Sequence, residues 1–184
     1  MIAPNHLDQN FVAPEPNKVW VSDMTYVATR EGWLYVAVVL DLFSRKVIGL
    51  GMGKNLDTDL LVRAFKQALQ HRNPKEGLMH HSDRGCQYTS KAFQELACRH
   101  GIQLSMSAKG YCYDNAVAES FFHTLKTELT HFCDYRIREE AQTSIFEYVE
   151  VFYKRQRMHS TVGYVSPTEF EEQWEAQHQG IRAG

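Results

Sequence analysis

The chain has 184 residues and a formal net charge of −2, which suits one domain of ordinary size with a real core. Hydrophobic residues make up 43% of it, ten Phe, nine Tyr and three Trp among them, which excludes a disordered chain. No apolar run approaches the ~20 residues of a membrane span and no signal-peptide pattern opens the chain, so no membrane partner and a cytoplasmic protein are expected; the slight negative charge means that any contact with phosphates must come from local basic patches.

Residues 1–17 read as an irregular leader rich in Pro and Asn. From Val19 to Val27 the β-branched and aromatic content predicts a strand. Trp33 to Leu40 is a continuous apolar run, too short for a comfortable helix and suited to a central strand covered on both faces. Lys46 to Met52 predicts a third strand, and the short connections make the three an antiparallel meander. Asp57 offers an N-cap to a helix reaching Arg72, with Leu60, Leu61, Ala64, Phe65, Ala68 and Leu69 at helical spacing. A short strand from Gly77 to Ser82 follows, then a helix from Thr89 with Ala92, Phe93, Leu96 and Ala97 on its apolar face and Gly101 as terminator. Ile102 to Met106 is the fifth strand. A helix starts near Asp114 with Ala118, Phe122, Leu125 and Leu129 as its stripe, and a last one runs from Arg138 to Gln156 with Ala141, Ile145, Tyr148, Val149 and Phe152 inward. Beyond it a tail, 161–184, contains a turn at Ser166-Pro167-Thr168-Glu169. Trp20 and Trp33 read as core. The four cysteines, Cys86, Cys98, Cys112 and Cys133, lack zinc-site spacing and read as reduced packing residues. The expected fold class is α/β, a mixed five-stranded sheet flanked by helices and occupying residues 18–160.

Asp23 sits inside an apolar strand, on the face of Val19, Val21, Thr25 and Val27 if the two-residue period holds. A buried ionised carboxylate needs something to offset it, so the residue reads either as a solvated edge position or as a metal ligand. Asp83 follows the fourth strand, where ligand sites of open α/β sheets concentrate, although Asp before a Gly-containing loop is also ordinary turn chemistry. Glu119, in the first turns of a helix, means nothing alone. Together the three fit a clamp for magnesium-like ions on a phosphodiester, but nothing in the spacing proves that they meet.

The segments Val19-Trp20-Val21-Ser22-Asp23-Met24-Thr25-Tyr26, His80-His81-Ser82-Asp83-Arg84-Gly85-Cys86-Gln87-Tyr88 and Asp114-Asn115-Ala116-Val117-Ala118-Glu119-Ser120-Phe121-Phe122 closely resemble successive motifs of bacterial insertion-sequence transposases of the retroviral-integrase type. Residues 84 to 118, thirty-five in all, lie between Asp83 and Glu119, the spacing for which that Asp-Asp-Glu group is known. The resemblance extends through Ser105-Met106-Ser107, Lys109-Gly110, Leu125-Lys126-Thr127-Glu128-Leu129, Arg157-Met158-His159-Ser160, Gly163-Tyr164 and Ser166-Pro167; Lys154 and Tyr111 depart from it, each standing where the family usually has Asn. It implies a ribonuclease H-like fold and a catalytic triad of Asp23, Asp83 and Glu119 holding two Mg²⁺ or Mn²⁺ ions. It also implies strand cleavage and strand transfer at the inverted repeats of a mobile element, through a circular intermediate. The partners implied are DNA and further copies of the chain, in the bacterial cytoplasm at the nucleoid. Such proteins carry helix-turn-helix segments for reading DNA; the residues before Val19 are too few for one, so such a segment is expected upstream or on a partner chain.

Lys126 lies two helical turns, about 10 Å, beyond Glu119 on nearly the same face, and reads either as a DNA contact or as a solvent-facing cation. Arg84, Lys109, Lys154, Arg155 and Arg157 are phosphate contacts or ordinary surface cations. His81 reads as a packing or supporting residue. Tyr88, Tyr111 and Tyr113 either stack on a splayed base or pack at the rim. Two rival readings remain at this level: a ribonuclease H-like nuclease that never joins strands, and a catalytically silent DNA-binding assembly module.

Overall fold

The computed structural model describes residues 2–108 and 112–179. Three antiparallel strands open the domain, β1 (Val19–Thr29), β2 (Gly32–Asp41) and β3 (Val47–Gly53), as the short connections require. Helix α1 (Thr58–Arg72) begins where Asp57 accepts a hydrogen bond from the Leu60 N–H at 2.9 Å and ends on Asn73, whose left-handed backbone lets its N–H reach the Leu69 carbonyl. It leads to β4 (Met79–Ser82), then α2 (Lys91–Arg99) and β5 (Gln103–Met106). The strand order is β3-β2-β1-β4-β5, with β4 parallel to both β1 and β5. β1 is therefore the seam between the antiparallel and parallel halves.

Two apolar layers cover the sheet. On one face Trp20, Ala37 and Val39 meet Leu61, Ala64, Phe65 and Ala68 of α1 and Phe93 of α2. The approach is close: a Cβ on Gly49 of β3 would lie 2.2 Å from the Ala64 carbonyl oxygen, so α1 rests on a strand that needs glycine there. On the other face Val21, Val36, Val38 and Leu40 pack against α3 (Ala116–Glu128) and α4 (Arg138–Glu147). β2 feeds both layers and is buried from Val36 to Asp41, which accounts for its unbroken apolar run.

Five sequence expectations change here. The last long helix is interrupted by a π turn over Tyr148–Tyr153, whose wider winding rotates the following residues. Tyr153 is buried in place of the expected Phe152, which is exposed. Trp33, expected in the core, stands at the exposed start of β2 edge-on to Tyr26 with ring centroids 4.7 Å apart. Cys86, Cys98 and Cys133 are free and exposed rather than packed. The expected turn at Ser166-Pro167 is the start of a helix, α5 (Pro167–Gln179), in which proline tolerates the first position and the Ser166 hydroxyl accepts from the Glu169 N–H at 3.2 Å.

Helix α5 is anchored by charge. Glu171, 4% exposed, receives hydrogen bonds from Ser44 Oγ at 2.6 Å and Lys46 Nζ at 3.0 Å and a bidentate pair from Arg72, which also bonds Asp41 at 2.8 Å. Two buried carboxylates are thus matched by two cations, and removing one member strands the others. Glu171→Ala is accordingly expected to destabilise the fold by about 3 kcal/mol, measured as a shift of the urea midpoint at unchanged slope; a shift below about 0.5 kcal/mol, the range of ordinary surface substitutions, would show that α5 is not part of the cooperative unit.

Candidate active site

The carboxylate rim is built by register. The parallel ladder pairs Val19, Trp20 and Val21 of β1 with Met79, His80 and His81 of β4, and two further steps bring Asp83, just past the end of β4, alongside Asp23. Asp23 shares a sheet face with Val21, the face covered by α3, as the two-residue period predicts. The third carrier is tied to the same strand: Asn115 Nδ2 donates to the Ser22 carbonyl at 3.1 Å, fixing the start of α3 one residue before Asp23. Glu119 lies one helical turn, about 6 Å, further along.

A short 3₁₀ turn, Cys112–Asn115, precedes α3, so the helix opens slightly later than expected. Its Asp114 gathers the surrounding loops. Asp114 accepts from the Ala108 N–H at 2.8 Å, from Asn5 Nδ2 at 3.0 Å and from Gln9 Nε2 at 3.0 Å. The Ser105 hydroxyl accepts from the backbone N–H groups of His6 and Leu7 at 2.9 and 3.2 Å. The leader is irregular, as expected, yet it is bound to the entry of α3, a long-range role that leaves no local sequence signal.

Asp23 lies within electrostatic reach of the other two carboxylates. The Asp23 carboxyl is raised to about 7, first by burial, against a lowering hydrogen bond from the Met24 N–H, and then by the negative charges of Asp83 and Glu119. Lys126 opposes that rise, so its charge also reaches the rim. Its ammonium sits 5.4 Å from the centre of the Tyr26 ring. Among the described residues no three His, Cys, Asp or Glu side chains form a ready metal-binding group. The donor set, all hard oxygens with unfavourable mutual charge, fits a divalent ion of the magnesium type.

The histidines are not part of that set. His80 Nε2 pairs with Ser22 Oγ at 2.7 Å, and His81 Nδ1 with Ser105 Oγ at 2.8 Å. Burial lowers their pKa values to about 3 and about 4, so both are neutral props between β4 and its neighbours. Tyr88 is buried against Phe93 rather than lining the cleft; burial first, and then the charge of Asp23, pushes its hydroxyl well above the ordinary range.

The proposed basic contacts separate into three kinds. Lys126 faces the rim. Arg84 is exposed beside Asp83 with its Nε donating to the Ser107 carbonyl at 2.6 Å, and Arg155 is exposed just after the π turn. Arg157 is committed instead to Glu128 at the end of α3, with Nη2 at 2.7 Å, and Lys154 to Glu150 at 2.7 Å. Lys109 and Tyr111 lie outside the described residues, as do the side chains of Cys112 and Tyr113.

Comparison with known proteins gives the family and the fold. Residues 13–112 match the family model of the integrase core domain, and residues 119–174 a second integrase core domain model. The chain is 47% identical over 168 residues to a transposase for insertion sequence element IS904 of Lactococcus lactis subsp. lactis, covering 91% of this chain and 66% of that protein. It is 46% identical over 170 residues to the transposase InsF for insertion sequence IS3A of Escherichia coli, covering 92% and 59%. The chain thus spans about three fifths to two thirds of the relatives it resembles. Among solved structures, the HTLV-2 integrase catalytic core domain in complex with magnesium superposes with a TM-score of 0.67 at 18% identity, over 86% of this chain and 99% of that one. A simian T-cell lymphotropic virus intasome gives 0.70 at 15%, over 93% and 59%. The fold is the ribonuclease H-like fold of retroviral integrase cores, as the motif resemblance implied.

The raised Asp23 pKa makes a metal-free prediction. A carboxyl whose pKa lies above its unfolded value near 3.8 favours the fold while protonated, and that advantage is lost as pH rises from about 4 through about 7. Because Asp23 is only half-buried, the effect is discounted to ~1–2 kcal/mol. In EDTA, Asp23→Asn should melt higher than wild type at pH 8 and at about the same temperature at pH 4; equal melting temperatures at both would show that Asp23 is not strained by its neighbours.

Proposed function

The chain belongs to the integrase core domain family, and from that premise we propose that it is the catalytic portion of an insertion-sequence transposase, cutting and joining DNA by metal-dependent phosphoryl transfer. The observation that carries this reading is the geometry that sets Asp83 level with Asp23 along the β1–β4 ladder and ties the start of the Glu119 helix to Ser22. Asp23, Asp83 and Glu119 would hold magnesium or manganese, two ions in the full reading, which when bound would activate a water or a DNA 3′-hydroxyl and stabilise the departing oxygen.

The chain's own groups then have distinct tasks. Asp23 and Asp83 offer ligands from the sheet, and Glu119 offers one from a helix whose position the Asn115 amide fixes through Ser22. The neutral pair His80 and His81 keeps the strand ends in place without adding positive charge that would compete for the carboxylates. Lys126 orients a phosphate next to the rim, screened from solvent on one side by Tyr26. Arg84 and Arg155 are further phosphate contacts, and Lys109, in the loop before Asp114, is another. Arg157 acts in this reading through Glu128, holding the end of α3. DNA is the substrate partner, with recognition of element ends supplied by a helix-turn-helix segment or a partner chain and with copies of the chain bridging two ends.

Glu119→Gln keeps size and hydrogen bonding but removes a ligand charge. In Mn²⁺, cleavage and strand transfer of labelled element-end duplexes should fall by two orders of magnitude or more, while duplex binding by mobility shift is unchanged or tighter; near-wild-type cleavage by this variant would defeat the assignment. Lys126→Ala should weaken duplex binding and flatten its salt dependence by about one phosphate contact, and an unaltered salt slope would remove Lys126 from the interface.

A further inference from the structure

A cavity of about 490 Å³ opens between α3, the leader and the segment after the π turn, within the roughly 300–1,000 Å³ typical of small-molecule sites. Ser120 and Thr124 of α3 line it, on a helical face about 100–140° round from Glu119. It therefore adjoins the carboxylate rim without sharing its residues. Its walls are aromatic: the Phe121 and Tyr153 rings meet edge-on at 4.9 Å, and Phe11 and the exposed Tyr164 close the sides.

Arg45 lines this space, and its charge is unbalanced. Its Nη2 donates to the Phe11 carbonyl at 3.0 Å, but its buried Nη1 has no hydrogen-bond partner, and among the described residues it has no ion pair. The carboxylate whose charge reaches it, Asp41, is already bonded by Arg72 and by the Asn17 and Phe43 N–H groups. Arg157, whose Nε and Nη2 are held by Glu128, adds an Nη1 that makes only marginal contacts, 3.4 Å each, to the Met158 carbonyl and His159 Nε2. Two of the lining residues, Arg45 and Tyr164, also hold left-handed backbone conformations, with φ of 63° and 60°, unusual for residues other than glycine and asparagine. A half-buried guanidinium without an ion pair is costly, and an anion in the cavity beside it would offset that charge.

We propose that this cavity binds one nucleotide of a DNA strand, its phosphate on Arg45 and on the Nη1 edge that Arg157 leaves beside its Glu128 pair, and its base against Phe121 and Tyr164. Guanidinium groups suit phosphate oxygens, aromatic faces suit any base, and the cavity supplies both with hydroxyl donors between them. From the proposed function this takes only that the substrate is DNA; a nucleotide drawn out of the strand here would lie one face of α3 away from the reacting phosphate.

The test titrates the full chain in EDTA with thymidine 5′-monophosphate, thymidine and inorganic phosphate, following the Phe121, Tyr153 and Tyr164 ring resonances by NMR. The monophosphate should bind at least tenfold more tightly than thymidine or phosphate alone. Arg45→Gln should weaken the monophosphate at least tenfold and thymidine hardly at all, while Arg99→Gln, an equal loss of charge on α2, changes neither. Tyr164→Ala, at an exposed site, should weaken monophosphate and thymidine alike, and it decides the matter if Arg45→Gln does not fold. Absence of these shifts at millimolar monophosphate, phosphate or thymidine binding as tightly as the monophosphate, or full affinity in both variants would overturn the assignment. No metal or turnover enters the measurement, so its failure leaves the catalytic reading standing, and failure of the Glu119 experiment leaves the cavity untouched.

Discussion

Three carboxylates share one rim because a parallel backbone ladder and one side-chain amide hold their carriers there. The β1–β4 register brings the end of β4 level with Asp23, and the Asn115 bond to the Ser22 carbonyl brings in α3. Both anchors act on the residues just before Asp23, so a displacement at that point of β1 would move all three carboxylates relative to one another. Rigidity is supplied from beneath: Ser22, His80 and His81 are buried and hydrogen-bonded, which leaves the strand ends few alternative packings. Like-charge repulsion at the rim is tolerable only on such a frame, since a looser one would relax by turning Asp23 into solvent.

The periphery repeats the same logic with opposite charges paired. Asp41 lies at the end of β2, entirely buried, and is bonded both by the Asn17 N–H of the leader and by Arg72 at the end of α1. Arg72 continues to Glu171 of α5, so one chain of charged hydrogen bonds joins the leader, the sheet, a crossover helix and the C-terminal helix. Segments that the sequence presents as a leader and a tail are thereby docked on the core.

Elements with a strong local period were legible in the sequence. The meander, the capped α1 and the alternation at Asp23 follow from patterning alone, and the structure contains them within a residue or two of their expected limits. The triad was not legible in that way, since neither Asp83 nor Glu119 carries a distinguishing local signal, and it was singled out through motif resemblance. What escaped depends on distant partners or on subtle winding. The π turn has no sequence mark and exchanges Tyr153 for Phe152 in the core. Ser166-Pro167 suits a turn as well as a helix start, and only burial of Glu171 decides between them. Trp33 looked like core by size but lies where the β1–β2 hairpin leaves the sheet's covered area.

The charge balance explains why a chain of net charge −2 is compatible with the proposed DNA chemistry. Much of its basic complement is internally committed: Arg157 to Glu128, Lys154 to Glu150, Arg136 to Glu140, Arg30 to Asp134, and Arg72 and Lys46 to Glu171. Counting all Lys and Arg against all Asp and Glu therefore says little about any one face. Near α3, two cations that make no ion pair among the described residues, Lys126 toward the rim and Arg45 beside the cavity, lie on either side of the helix that bears Glu119. On the proposed reading a phosphate chain crossing that helix would meet positive charge before and after the negative rim, so local arrangement, rather than total charge, would govern how the strand lies across the site.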